Sequence, residues 1–431
     1  MFGKKKKVEE RPNPIKRDGR FRIAVAGAGY VGLSVGTLLA RNNDVVLVDV
    51  IPAKTEAINA WMSPINDAGI VAAFTAAATG EAPLALRATF DPVAAYTMAD
   101  IVIIATPTGY LGDADRFDAS SVEATCQVVR SVNADCWIVI RSTVPVGYTE
   151  GLRARTGDDR IVVSPDFLRE GLALIDNLHP TRVVVGVDQA DASSVEFGGF
   201  FAALLAESAD RPMQDIPQMI CGSSGAEAIK VFSDAYLAQR TAFFNELDTY
   251  ASVRGLNRVQ LIEGLCLDPR IGPYYNNPSF GHASTVLPKD GKQLLADYGD
   301  VPHEFLAATV RAGDARKDAV ANEVYALLRE RCGFGTGVHP VVGVYRLANK
   351  GMTDDIRGSA TIDVVRRLRD KGVDVVIYEP SVPGAEFDGI EVVPTLEELK
   401  ERSALILANR YSADLEDVRD RVYTRDLFGR D

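Results

Sequence analysis

"FRIAVAGAGYVGLSVGTLLA", residues 21–40, decides the fold. An apolar run ends in Gly27-Ala28-Gly29-Tyr30-Val31-Gly32, and a helix-length apolar stretch follows at once. A strand that enters a helix this way uses each glycine differently. Gly27 permits the tight turn, Gly29 lets backbone approach a pyrophosphate, and Gly32 allows helix and strand to pack closely. The helix N-terminus supplies free N–H groups and the positive end of its dipole. The glycine pattern alone is a weak signal. Here, however, Asp49 stands 17 residues beyond Gly32, at the end of the next apolar run, "DVVLVDV". A carboxylate at that point accepts hydrogen bonds from ribose hydroxyls, which favours NAD over NADP.

Outward from this motif, "DIVIIATPT", "CWIVIRST" and "VVVG" are further continuous, β-branched runs. Such runs suit strands buried on both faces, hence a parallel sheet with crossover helices over residues 21–210. From Gly222 the pattern becomes helical, with Ile229, Phe232, Tyr236, Leu237, Phe243, Phe244 and Leu247 at helical spacing. A helix of about 28 residues would reach about 42 Å, and residues 211–320 are expected to form an all-α connector and dimer surface. Strand–helix alternation returns in "HPVVGVYR", "SATIDVVRRLRDKG", "VDVVIYEP" and "SALILANR", which predicts a second α/β domain over residues 321–431. The expected fold is therefore α/β, with two Rossmann-like doubly wound domains joined by a long helix.

At 431 residues the chain is long for a single core, in keeping with this division. A net charge of −12 disfavours nucleic-acid binding through phosphate neutralisation. The basic cluster at Lys4–Lys7, within residues 1–20, reads as a solvated tail ahead of the first strand. No apolar segment long enough to span a membrane exists, and the expected location is the cytoplasm. Five scattered cysteines fit reduced thiols, and four isolated histidines give no metal site.

The motifs "GAGYVG", "ATPTGY", "STVPVGYT", "SPDFLREG", "AEAIKVFSDAYLAQRTAFFNELD", "DPRIGPYYNNPSFG", "LPKD" and "VYTRDLFGRD" occur in that order. Together they resemble the UDP-glucose/GDP-mannose dehydrogenase family, most closely its short bacterial UDP-glucose 6-dehydrogenases, from Phe21 to Asp431. The resemblance implies NAD as cofactor, a UDP-hexose as substrate and a homodimer. It implies catalytic roles for Lys230, Asp290, Thr143 and Glu170. It adds Tyr30, Val31, Lys54, Thr108 and Arg357 to Gly27, Gly29, Gly32 and Asp49 around the cofactor. Around the sugar nucleotide it implies Asp166, Phe167, Leu168, Arg169, Lys230, Arg270, Tyr275, Asn276, Asn277, Pro278, Ser279, Ala283 and Lys350.

The family oxidises C6 of the sugar twice, and a cysteine adds to the intermediate aldehyde. That addition is needed because an aldehyde carbon has no hydride to give readily until a nucleophile makes it tetrahedral. Here the cysteine position is Val286, which can neither ionise nor add to a carbonyl. Nearby departures are Ala283 and Ser284 for two glycines, Asp234 for an asparagine, Asp166 for a glutamate and Gly109 for an asparagine. Asp234, four residues after Lys230, is an additional candidate acid or base. The expected function is a nucleotide-sugar oxidoreductase whose chemistry is truncated or redirected. The alternative is a catalytically silent paralogue that binds NAD or UDP-sugar and acts through a partner.

Overall fold

The computed structural model describes residues 19–111, 116–281, 286–348, 356 and 358–430. It divides into two compact units, residues 1–230 and 231–431, with the division falling inside one helix, Ser223–Val253.

The apolar runs of the first unit become strands: β1 (Arg22–Ala26), β2 (Asp44–Val48), β3 (Leu86–Thr89) and β4 (Ile101–Ile104). A small hairpin follows, β5 (Gly109–Leu111) and β6 (Arg116–Asp118). The main sheet continues with β7 (Trp137–Ile140), β8 (Ile161–Val163), β9 (Val183–Val187) and β10 (Gln218–Gly222), in the order β10-β9-β8-β7-β4-β1-β2-β3. Both faces are buried, as the continuous runs predict. Ile23 and Val25 join one core cluster while Ala24 and Ala26 join the other. Each buried Val or Ile contributes roughly 1.5–3 kcal/mol. On one face Trp137 stacks flat on Phe197, ring centroids 4.2 Å apart.

One feature departs from the expected all-parallel sheet. β8 and β9 are antiparallel, touching through Val163 and Gly186. A Cβ at Gly186 would stand 2.7 Å from both Val163 and Ala226 side chains, so the close pairing depends on the glycine. A strand buried on both faces is apolar throughout in either orientation, and its composition carries no sign of direction.

The chain places β2 and β3 on one side of β1 and then returns to place β4 on the other. The switch point therefore lies between β1 and β4, where open α/β sheets bind ligands beyond the carboxyl ends of their strands.

The second unit repeats the device. Its sheet contains β11 (Val341–Tyr345), β12 (Asp374–Tyr378), β13 (Glu386–Phe387), β14 (Ile390–Val392), β15 (Leu405–Leu407) and β16 (Val422–Tyr423). The order is β13-β14-β12-β11-β15-β16, parallel except for the β13–β14 pair. Its switch point lies between β11 and β15. Most of the Ser223–Val253 helix and the 28-residue Glu304–Arg331 helix belong to this unit. Among the described residues no helix is long and apolar enough to cross a membrane, and no cluster of His, Cys, Asp or Glu could hold a metal ion.

Candidate active site

At the first switch point β1 runs into Gly27, whose φ of +97° is the left-handed conformation that glycine alone adopts cheaply. Its N–H donates to the Val48 carbonyl at 2.8 Å. A Cβ at Gly27 would lie 2.5 Å from the Ala105 carbonyl oxygen, and one at Gly32 would lie 1.9 Å from that of Gly27. At Gly29 an added Cβ would meet no heavy atom within 4 Å. The turn is thus closed on the protein side and open above Gly29, which caps the Tyr30–Leu39 helix without a side-chain hydrogen bond. This is the cradle that a pyrophosphate fits.

Asp49 closes the crevice. Its carboxylate accepts from the Ala28 N–H at 2.9 Å and the Ile51 N–H at 3.0 Å, with Lys54 Nζ 3.9 Å away. The acid expected at the ribose is therefore braced by the glycine loop itself. On the far side, Ser142 Oγ donates to the Thr106 carbonyl and Ser121 Oγ to that of Pro107, both at 2.7 Å. These bonds tie down the loops carrying Thr108 and Thr143, both half-buried.

The "SPDFLREG" loop follows β8. Asp166 is buried, while Phe167, Leu168 and Glu170 are half-buried and Arg169 is exposed. The Arg169 N–H donates to Asp176, and the Ala173 N–H to the fully buried Asp67 at 2.6 Å. The Arg182 guanidinium sits 3.7 Å from the Phe167 ring centroid. Lys230, only 6% exposed, brings Nζ to 3.8 Å from Asp166 Oδ2. Ionic groups this deep lose hydration that their pairing only partly restores, so the pair adds little to stability. Asp234, one helical turn beyond Lys230, is also buried.

Two neighbours were not among the sequence candidates. Arg141, at the end of β7, is buried, and its Nε has no hydrogen-bond partner among the described residues. Burial pulls its pKa down, opposed by the Asp166 carboxylate. An arginine ending the apolar run "CWIVIR" was the available signal. Glu227 is buried and accepts from the Gly147 and Thr149 N–H groups and the Thr149 hydroxyl. Burial raises its pKa, and those hydrogen bonds oppose the rise.

In the second unit Asn276, Asn277, Pro278 and Ser279 form one buried loop at the carboxyl end of β15. Ser279 N–H donates to Asn245 Oδ1 (2.9 Å), Phe280 N–H to Asn409 Oδ1 (2.8 Å), and Arg410 to the Pro278 carbonyl (3.0 Å). Arg316 Nε donates to the Ser279 carbonyl at 2.8 Å. Two non-glycine residues with left-handed backbone, Tyr275 (φ +48°) and Arg346 (φ +60°), stand just before the loop and just after β11. Such strain is common at ligand sites. Arg270 is not gathered with the loop: its side chain is 88% exposed and pairs with Asp268. Ala283, Lys350 and Arg357 lie outside the described residues, as do the side chains of Val286 and Asp290.

A doubly wound sheet with an open glycine turn at its switch point and a braced carboxylate just past the next strand defines a dinucleotide-binding scaffold. Three family descriptions match consecutive parts of the chain: the NAD binding domain (residues 21–198), central domain (224–314) and UDP binding domain (343–425) of the UDP-glucose/GDP-mannose dehydrogenase family. The chain belongs to that family. It is 44% identical to the UDP-glucose 6-dehydrogenase of Streptococcus pneumoniae, over 95% of this chain and 100% of the relative. It is 36% identical to the enzyme of that name from Campylobacter jejuni, over 94% and 99%. Among solved structures, a UDP-glucose dehydrogenase from Pyrobaculum islandicum superposes with a TM-score of 0.79 at 27% identity, covering 95% of each chain.

Proposed function

We propose that this chain oxidises C6 of a UDP-hexose with NAD and that its chemistry stops, or is diverted, after the first hydride transfer. The observation that carries the reading is the buried Lys230–Asp166 pair, retained in the same unit as an intact nucleotide crevice. A cation held out of water stabilises charge developing on a reacting oxygen better than one in solvent does. The bound NAD would supply the hydride acceptor, held by the Gly27–Gly32 turn, Asp49 and Lys54, with Thr108, Thr143 and Glu170 at the rim. Lys230 steadies the C6 oxygen as it becomes an alkoxide. The hydroxyl proton leaves to a water that the resemblance assigns to Asp290. Asp234 adds a carboxylate one helical turn from Lys230.

Hydride loss from C6 then yields an aldehyde. Further oxidation by the family route needs a nucleophile on that carbon, and position 286 is valine. Incubation with NAD and a panel of UDP-hexoses, with products identified by mass spectrometry, tests the reading. One NADH per sugar with an aldehyde, or an isomer without net NADH, is the expected result. Two NADH with a uronate would overturn it, and NAD binding without turnover on any sugar would favour a silent binding protein.

A homodimer is part of the same reading. Phe232, Tyr236, Phe243 and Tyr250 are all exposed on the long helix at intervals of four and seven, so they line one face. A second copy would cover that stripe. A monomer in light scattering at micromolar concentration would sink the dimer.

A further inference from the structure

The C-terminal segment Arg425–Arg430 has no role in the chemistry above, yet it makes the most far-reaching contacts of the sugar-nucleotide loop. Asp426 Oδ1 accepts from Asn277 Nδ2 at 2.7 Å, and from the Gly429 and Phe428 N–H groups at 2.7 and 3.3 Å. Its other oxygen accepts from the Tyr411 N–H at 3.1 Å. Tyr411 follows Arg410, which holds the Pro278 carbonyl. One carboxylate therefore joins two walls of the crevice, the Asn276–Gly281 loop and the turn after β15.

Asn277 is occupied by this segment. Nδ2 donates to Asp426 and to the Arg430 carbonyl, while Oδ1 accepts from the Leu427 N–H at 3.0 Å. Both amide donors and one acceptor site are used, so Asn277 shapes the loop rather than offering its amide donors to a ligand. Arg430 in turn donates to Asn276 Oδ1 at 3.2 Å. The root of the segment is fixed, because Arg425 is buried against Asp248 and Glu323. The left-handed Tyr275 just before the loop needs such support, since a strained backbone persists only where its surroundings over-determine it.

We propose that Asp426 is a positioning residue for the nucleotide sugar: by clamping Asn277 to the turn after β15 it holds the Asn276–Gly281 loop in its binding conformation. This rests on the nucleotide-sugar reading above.

The test compares the full chain with Asp426→Ala and Asp426→Asn, measuring UDP and NAD affinities by calorimetry and amide exchange of Ser279 and Phe280. The Ala variant should bind UDP about tenfold or more weakly, the effect of losing hydrogen bonds to a charged group. NAD affinity should be unchanged and exchange at both amides faster. The Asn variant, retaining one acceptor oxygen, should fall between. Wild-type UDP binding matched by folded variants would overturn the clamp alone. UDP and NAD binding lost together in both variants would mark a general folding role and overturn it as well. A wild-type chain that takes no UDP would overturn the nucleotide-sugar reading itself.

Discussion

The glycine turn of the first unit and the asparagine loop of the second both sit at a switch point of a doubly wound sheet, yet opposite means hold them. Residues 27–32 are shaped locally, by backbone and one nearby carboxylate. A left-handed glycine, two missing Cβ atoms and hydrogen bonds to Val48 and Asp49 suffice. Residues 276–281 are shaped by side chains from far along the chain: Asn245, Arg316, Asn409, Arg410 and Asp426. The first kind of loop travels as a short motif. The second exists only when several distant elements have already folded, and its tolerance to change differs accordingly.

The foundation of the second loop is the place to strike hardest. Asp248 is fully buried, with Arg316 at 2.7 Å and Arg425 and Arg258 each at 3.3 Å. Asp248→Ala leaves those guanidiniums without their shared counter-charge, and breaking a buried pair in this way costs about 3–5 kcal/mol. Urea unfolding of the full chain should register that loss. A change under about 1 kcal/mol, the scale of an exposed pair, would mean that the loop does not stand on this cluster.

A smaller effect should separate ligand from fold at the first loop. Gly29 has φ −90°, which alanine adopts without strain, and its Cβ would meet nothing. Gly29→Ala should therefore melt like the parent while NAD affinity falls about tenfold, or ~1.4 kcal/mol, because the methyl occupies the space a pyrophosphate needs. Unchanged affinity would move the pyrophosphate away from Gly29 and blur the contrast between the two loops.

This contrast also explains how much could be read from the amino-acid sequence. Strands β1, β2, β4, β7 and β9 were legible because burial on both faces demands unbroken apolar runs. The glycine turn and Asp49 were legible because their constraints are local and have a fixed spacing. The reversed β8–β9 pairing left no mark in composition. Arg141 left one, a charge at the end of an apolar strand, but its meaning emerged only with burial. Asp426 was visible only as part of the motif "VYTRDLFGRD", with no periodicity to link it to Asn277, 149 residues away.

The smallest expected effect tests the proposed truncation itself, by asking whether a cysteine near the second loop supplies the nucleophile that a valine at position 286 cannot be. Cys266 is the only candidate thiol nearby in sequence. It ends the Arg258–Cys266 helix, is half-buried, and its Sγ accepts from Asn276 Nδ2 at 3.2 Å. The thiol thus serves the loop as a hydrogen-bond acceptor, a task that a hydroxyl performs too. Cys266→Ser should change stability by no more than about 0.5 kcal/mol and leave the yield of NADH per sugar unaltered. A parent chain that produced two NADH per sugar and a serine variant that produced one would place the nucleophile at Cys266. The second loop would then have rebuilt its chemistry from a distant residue, just as it builds its shape.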